Sequence, residues 1–276
     1  MKKCWLNNKV VVISGASGGI GFSVAKSLIE KYSCTILAIG RNKEKMQKAK
    51  DTLGEKKDKF LDFYFDVSSL SQWEDFKAQL EEHGIMPDVL INNAGFMLPF
   101  KKFDALTMDE IEEIIKTNFS SVLYSFKTLK PLLDKSKTPT VVNVSSAAGL
   151  CAVVGESMYC ATKYAVRGFT DTIRQDYKKK YFVTGIYPGF IRTDILSRQN
   201  TNDKENKLIN KIMMPLPRAT RKIVRGIKKH KKNVVMGFDG RSMSIFGRLF
   251  PNFTASLVRK VLKVSGLELF KDVFSD

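Results

Sequence analysis

Tyr159 lies thirteen residues beyond Ser146 and four before Lys163. On a helix, a spacing of four puts the phenol and the ammonium on one face, one turn apart. A free tyrosine titrates near about 10, too high for acid–base work at neutral pH. A fixed cation beside it favours the phenolate and draws that value down toward the working range. A serine hydroxyl arriving from a neighbouring strand end would then hold a substrate oxygen against the phenol. Tyr and Lys at this spacing also mark ordinary solvated helix faces, so the pair takes its meaning from what surrounds it.

The elements that must position these residues alternate along the chain. Strand-like runs occur at Lys9–Ser14, Thr35–Ile39, Phe60–Phe65, Val89–Asn92, Thr140–Val144, Phe182–Tyr187 and Asn233–Met236. Between them, helical spacing is predicted for Gly19–Lys31, Lys43–Leu53, Ser71–His83, Met108–Leu133 and Ser157–Lys180. Short apolar strands separated by helices imply right-handed crossovers and a parallel sheet covered on both faces. We read an α/β, Rossmann-type doubly wound domain over residues 1–237, with about seven strands, and a helical extension over residues 238–276. The polar stretch at 192–217 interrupts the alternation after a strand's carboxyl end. It reads either as a surface insertion or as a substrate lid.

The first strand runs directly into Ser14-Gly15-Ala16-Ser17-Gly18-Gly19-Ile20-Gly21 and then a helix. Glycines 15, 19 and 21 let the backbone turn tightly and approach a pyrophosphate closely. The helix N-terminus that follows offers free N–H groups and the positive end of its dipole. At the end of the second strand stands Gly40-Arg41-Asn42. An acid there would bind the ribose hydroxyls and repel a 2′-phosphate, whereas Arg41 presents a planar cationic fork. The expected cofactor is therefore NADP(H) rather than NAD(H).

Composition limits the alternatives. The chain has 276 residues, is 43% apolar and carries a formal net charge of +18. That is enough apolar content for a sizeable core and too much for a disordered chain. Cys4, Cys34, Cys151 and Cys160 show no metal spacing, and His83 and His230 are far apart, so no metal site is expected. Cys34 sits in an apolar run, which points to a buried, reduced thiol. The N-terminal Lys2-Lys3-Cys4-Trp5 has no apolar stretch behind it, and no run of eighteen apolar residues occurs. Neither a signal peptide nor a spanning helix is expected, and a reducing cytoplasm fits.

Over residues 8–237 the chain resembles the short-chain dehydrogenase/reductase family. Gly15, Gly19 and Gly21 match its cofactor loop, to which Ser17 and Ile20 also belong. Asp66-Val67 matches the adenine-contacting acid, and Asn92-Asn93-Ala94-Gly95 the motif that lies along the cofactor. Asn118, Ser146, Tyr159 and Lys163 match the catalytic set. Pro188-Gly189 followed by Ile191-Arg192-Thr193 matches the segment that cradles the nicotinamide. Ser14 replaces the usual threonine and retains a hydroxyl. Of the adjacent serines, the interval to Tyr159 selects Ser146, leaving Ser145 to pack or to bond backbone. The resemblance implies that Tyr159 exchanges a proton with a carbonyl oxygen that Ser146 orients. Lys163 would lower the tyrosine pKa and hold the nicotinamide ribose, and Asn118 would hold a relay water. It also implies a homodimer or homotetramer through the helices around 108–133 and 157–180.

The substrate is less sharply marked. Met97, Leu98, Leu150, Val153, Val154 and Phe190 flank the catalytic set, with cations only at Arg192 and Arg198. This favours a hydrophobic carbonyl or alcohol, such as a steroid or long-chain lipid. A 3-oxoacyl-thioester reductase would use the same catalytic set, and an acidic carrier would suit a basic surface. A non-catalytic, cofactor-sensing relative would ordinarily lack the tyrosine or the lysine. Between Asn206 and Leu267 there are fifteen Lys or Arg and one acid, Asp239. Phe253, Leu257, Val258, Val261 and Leu262 recur there at helical spacing among Arg259, Lys260 and Lys263. Such a tail can lie on an anionic membrane surface or pack on its own domain or on a partner subunit. No nucleic-acid motif accompanies the charge, so no nucleic acid is expected.

Overall fold

The computed structural model describes residues 4–193 and 213–275. Arg198 and most of the expected lid lie outside those residues. Seven strands form one parallel sheet: β1 (Val10–Ser14), β2 (Thr35–Gly40), β3 (Phe60–Tyr64), β4 (Val89–Asn92), β5 (Thr140–Val144), β6 (Phe182–Tyr187) and β7 (Asn233–Val235). Their order is β3-β2-β1-β4-β5-β6-β7. The order reverses between β1 and β4, which opens a crevice at the carboxyl ends where such sheets take their ligands.

Both faces of the sheet are buried, which is why its strands read as unbroken apolar runs. Val11, Ile13, Ile36 and Ala38 point to one face, against Val24, Ala25, Leu28 and Ile29 of α1 (Gly19–Tyr32). Val12, Leu37 and Ile39 point to the other, where Trp73, Phe76 and Leu80 of α3 (Leu70–Glu82) cover them. Each such fully buried side chain contributes about 1.5–3 kcal/mol relative to exposure. Between these helices lies α2 (Lys43–Asp51), whose N-terminus Asn42 caps by accepting from the Lys45 amide.

Sequence spacing predicts a single helix over Met108–Leu133. The structure divides it into α4 (Met108–Ile115), a π-helical turn at Lys116–Ser120, and α5 (Ser121–Leu133). The wider turn carries Asn118, and such insertions are frequent at functional sites. α6 (Ser157–Asp176) ends earlier than expected, and α7 (Leu216–Lys228) is an addition to the predicted elements. α7 buries Ala219, Ile223, Val224 and Ile227 against α1, and its Thr220 hydroxyl meets that of Ser23 at 2.7 Å. Arg218, Arg221, Arg225 and Lys228 therefore form a charged outer face of a packed helix and belong to no tail.

The extension continues as α8 (Phe238–Leu249), α9 (Pro251–Ser265) and α10 (Lys271–Phe274). Its last residues pack on the catalytic region. The Phe270 ring meets Phe100 edge-on at 4.8 Å, and Lys102 donates to the Ser275 carbonyl at 2.7 Å. α9 behaves differently, since Thr254 is its only buried residue.

A chain of buried polar groups registers α5 and α6 on the middle of the sheet. Ser125 donates to Asn92, Asn92 to Asn143, and Asn143 to Thr170, at 2.6, 2.9 and 2.9 Å. At the carboxyl end of β5 the approach is closer still. The Ser145 hydroxyl donates to the Lys163 carbonyl at 2.8 Å, and a Cβ on Gly149 would stand 2.5 Å from Ser145 Oγ and 2.7 Å from that carbonyl. Gly149→Ala is therefore predicted to lower stability by about 1–3 kcal/mol, the usual cost of overpacking. Chemical denaturation checks this, and an unchanged midpoint would contradict the packing described.

Candidate active site

The loop between β1 and α1 is shaped by its glycines. Gly15 and Gly19 adopt φ of 68° and 51°, a region that glycine occupies readily. A side chain on Gly21 would collide with the Gly15 carbonyl and reach 2.6 Å from Asn93 Nδ2. α1 begins at Gly19 with no side-chain cap, so its first amides remain available to an anion. Ser14 ties this loop to the end of β4. Its hydroxyl accepts from the Asn93 and Ala94 amides at 3.0 and 3.1 Å, while Asn93 Nδ2 donates to the Ser14 and Gly15 carbonyls.

A cavity of about 380 Å³ runs from this loop to the catalytic residues. Of the residues expected from sequence, Gly15, Ser17, Gly19, Ile20, Asn93, Ala94, Gly95, Ser146, Tyr159, Lys163, Pro188, Gly189, Ile191 and Thr193 line it. The cavity and its bare glycine backbone fit a nicotinamide dinucleotide, with the loop and the α1 terminus placed to hold the pyrophosphate. Gly21 supports the loop from behind. Val67 is buried in the core, where its carbonyl accepts from Trp73. Arg41 and Asp66 lie at an adjacent depression, joined at 3.3 Å across a half-exposed ion pair. Burial raises the Asp66 pKa, but hydrogen bonds from Ser68 and the charge of Arg41 outweigh it and hold the carboxyl below its ordinary range.

At the other end, α6 delivers Tyr159 and Lys163 and the end of β5 delivers Ser146. Tyr159 and Lys163 are 5% and 4% exposed, so the solvated-face alternative does not apply. Lys163 Nζ lies 5.5 Å from the centre of the Tyr159 ring and donates to the Val144 carbonyl at 3.3 Å. A side chain on Gly95 would come within 3.2 Å of that ammonium, so Gly95 leaves it room. Ser146 Oγ accepts from the Ala148 amide at 3.1 Å and faces the cavity.

The electrostatics differ from the expectation of a depressed phenol pKa. Burial pushes the Tyr159 phenol well above its ordinary value. Its hydrogen bond with Ser146 acts the other way, and Glu156 and Cys160 add to the rise. Burial likewise lowers the Lys163 ammonium to about 8. Desolvation disfavours both charges. The chain by itself thus holds a protonated phenol at neutral pH, a form that can donate a proton.

Asn118 does not line the cavity. Its amide clamps Phe96, accepting from the backbone N–H and donating to the carbonyl, both at 2.9 Å. It is a positioning residue for the wall beside Gly95. Lys45, Phe100, Glu156 and Met243 line the cavity without having been expected. Lys45 belongs to the first turn of α2, four residues after Arg41 in the sequence. Glu156 stands three residues before Tyr159 in the sequence, whereas Met243 arrives from a distant helix that carries no such signal.

The family model for short chain dehydrogenases matches residues 9–204. The chain is 27% identical over 266 residues to the uncharacterized oxidoreductase YxnA of Bacillus subtilis (strain 168), covering 93% of this chain and 73% of that one. In fold it is similar to a short chain dehydrogenase/reductase from Burkholderia phymatum in complex with NAD, with a TM-score of 0.77 at 17% identity, covering 96% and 97% of the two chains. A putative short chain dehydrogenase from Shigella flexneri 2a str. 301 complexed with NADP gives a TM-score of 0.69 at 23% identity, covering 82% and 93%. With the family model spanning more than half of its length, this chain is a member of the short-chain dehydrogenase/reductase family of oxidoreductases.

Proposed function

We propose that the protein is an NADP(H)-dependent oxidoreductase that interconverts a ketone and a secondary alcohol on a hydrophobic substrate. The observation that carries this reading is the meeting of Ser146, Tyr159 and Lys163 at one end of a cavity whose remaining wall is mostly apolar. Hydride is what a bound nicotinamide cofactor supplies. Ser146 and Tyr159 hold the carbonyl oxygen, and the protonated phenol gives its proton to that oxygen as negative charge develops. In the reverse direction the same oxygen of Tyr159 takes the proton back. Lys163, buried beside the ring, is placed to hold the ribose hydroxyls and to resupply the proton. Asn118 keeps the segment at Phe96, beyond β4, in place, and the closed apolar surroundings exclude water.

Preference for the phosphorylated cofactor rests on Gly40, which leaves no acid to repel a 2′-phosphate, and on two cations nearby. Arg41 lines the depression that holds Asp66, and Lys45 lines the cavity, as does Ser17. The Arg41–Asp66 pair is exposed and weak enough to exchange for a phosphate.

The exposed apolar face of α8 and α9 supports work at a lipid surface. Phe253, Leu257, Val261 and Val264 follow one another at helical spacing and are 67%, 48%, 59% and 79% exposed. Ile245, Phe246, Leu249 and Phe250 extend the patch, and Arg248, Lys260 and Lys263 flank it. An apolar stripe edged by cations complements an anionic bilayer, each nearby Lys or Arg adding about 1 kcal/mol. α8 also carries Met243 into the cavity, so the same element would face lipid and wall the substrate compartment. Among the described residues no helix is long and apolar enough to cross a membrane, so the contact would be peripheral.

A screen of cofactor oxidation over steroid ketones, long-chain keto-lipids and acetoacetyl thioesters tests the reaction. NADPH is expected to support turnover at least tenfold better than NADH, and Tyr159→Phe to bind NADPH while losing turnover. Equal use of both cofactors, or undiminished turnover by the variant, would overturn the reading. Flotation with anionic and zwitterionic vesicles tests the surface. Wild type is expected to float with anionic vesicles and the combined Phe253→Ser, Leu257→Ser and Val261→Ser variant to stay behind. Equal recovery, or a dimer broken by the same substitutions without any flotation, would contradict lipid docking.

A further inference from the structure

The substrate half of the cavity contains one side chain that its apolar character does not explain. Met97, Phe100, Val153, Phe190 and Met243 form its walls, and Glu156 stands among them. Glu156 is 3% exposed, and its Oε1 has no hydrogen-bond partner among the described residues. It directly precedes α6, where a carboxyl ordinarily accepts a backbone amide, yet it makes no such cap. An unpaired buried carboxyl is costly, and one polar group set in an apolar pocket is the usual means of fixing a ligand's orientation. Burial alone acts on this group and pushes its pKa up to about 9. At neutral pH it is a carboxylic acid, offering one O–H donor and acceptor oxygens.

We propose that Glu156 is a specificity-determining residue that receives a hydroxyl carried on an otherwise apolar ketone substrate. This rests on the ketone-reductase reading above and adds the substrate's second oxygen to it. A neutral acid and a hydroxyl each donate and accept, so the pair satisfies both without burying a charge. Glu156 immediately precedes α6, three residues before Tyr159, lines the same cavity and acts on the phenol by its charge. The hydroxyl therefore belongs within a few carbons of the carbonyl that meets Tyr159. A plain apolar ketone would leave the carboxyl unpaired, which gives the enzyme a basis for rejecting it.

The test compares a medium-chain 2-alkanone with its hydroxyalkanone regioisomers and with the corresponding aminoalkanones, using wild type, Glu156→Gln, Glu156→Leu and Glu156→Met with NADPH. Wild type is expected to favour one hydroxyalkanone over the alkanone by about tenfold or more in kcat/KM, the size of one hydrogen bond (about 1.4 kcal/mol). Glu156→Leu, or Glu156→Met should the first not fold, is expected to abolish that ratio, and Glu156→Gln to keep most of it. A ratio unchanged in the apolar variants, no preference in wild type, or a preference for the aminoalkanone would overturn the proposal. Failure of wild type to reduce any of these ketones would count against the reductase reading instead. The proposal would then be decided by thermal shifts with NADP⁺ and an alkanediol or alkanol. A larger diol shift in wild type that is lost in Glu156→Leu supports it, and equal shifts overturn it.

Discussion

The close approach of α6 to the end of β5 is the contact on which the site depends. Ser145 bonds the Lys163 carbonyl, Lys163 bonds the Val144 carbonyl, and Gly149 is bare where any side chain would enter both partners. Deeper in the core, Asn143 and Thr170 set the same helix in register. The helix and the strand end are thereby fixed relative to each other before any ligand arrives. Such preorganisation holds a phenol, a serine hydroxyl and an ammonium together at one end of the cavity.

The same contact removes the catalytic groups from water. Inside this enclosure the neutral forms gain, so the tyrosine holds its proton more tightly and the lysine less tightly than in solution. Glu156 follows the same rule. One physical cause thus pushes Lys163 and Glu156, which would be charged in water, toward neutrality and holds Tyr159 neutral. A phenol held in this way can give up a proton, and taking the proton back from Tyr159 is disfavoured by the same burial.

Much of this architecture is legible in the sequence because its causes are local. Parallel strands buried on both faces must be apolar throughout, and a glycine loop must follow the first of them if a phosphate is to approach. Tyr159 and Lys163 share a face because the helix repeat requires it. Other features escape for equally physical reasons. The π-turn at Asn118 occupies only five residues inside a longer helical run, too few for periodicity to reveal. α7 is masked by its charged outer face, although Ala219, Ile223 and Ile227 recur correctly beneath it. A rule about charge spacing predicts a lowered Tyr159 pKa, but burial, a property of the whole fold, raises it. Met243 and Phe270 reach the site from the extension, and no local pattern announces so long a return.

Closure of the substrate half by that extension links recognition to the tail of the chain. Phe270 and Val273 brace Phe100 and Gly155, and Met243 completes the wall. The central claim, however, is electrostatic: the fold holds Tyr159 as a protonated phenol in readiness for reduction. Tyrosinate absorbance, followed with pH in wild type and in Tyr159→Phe, tests it directly, since the difference isolates one of the eight tyrosines. The account predicts no phenolate from Tyr159 between about pH 6 and pH 9 in the cofactor-free protein. A phenolate appearing with a midpoint near neutrality would contradict it.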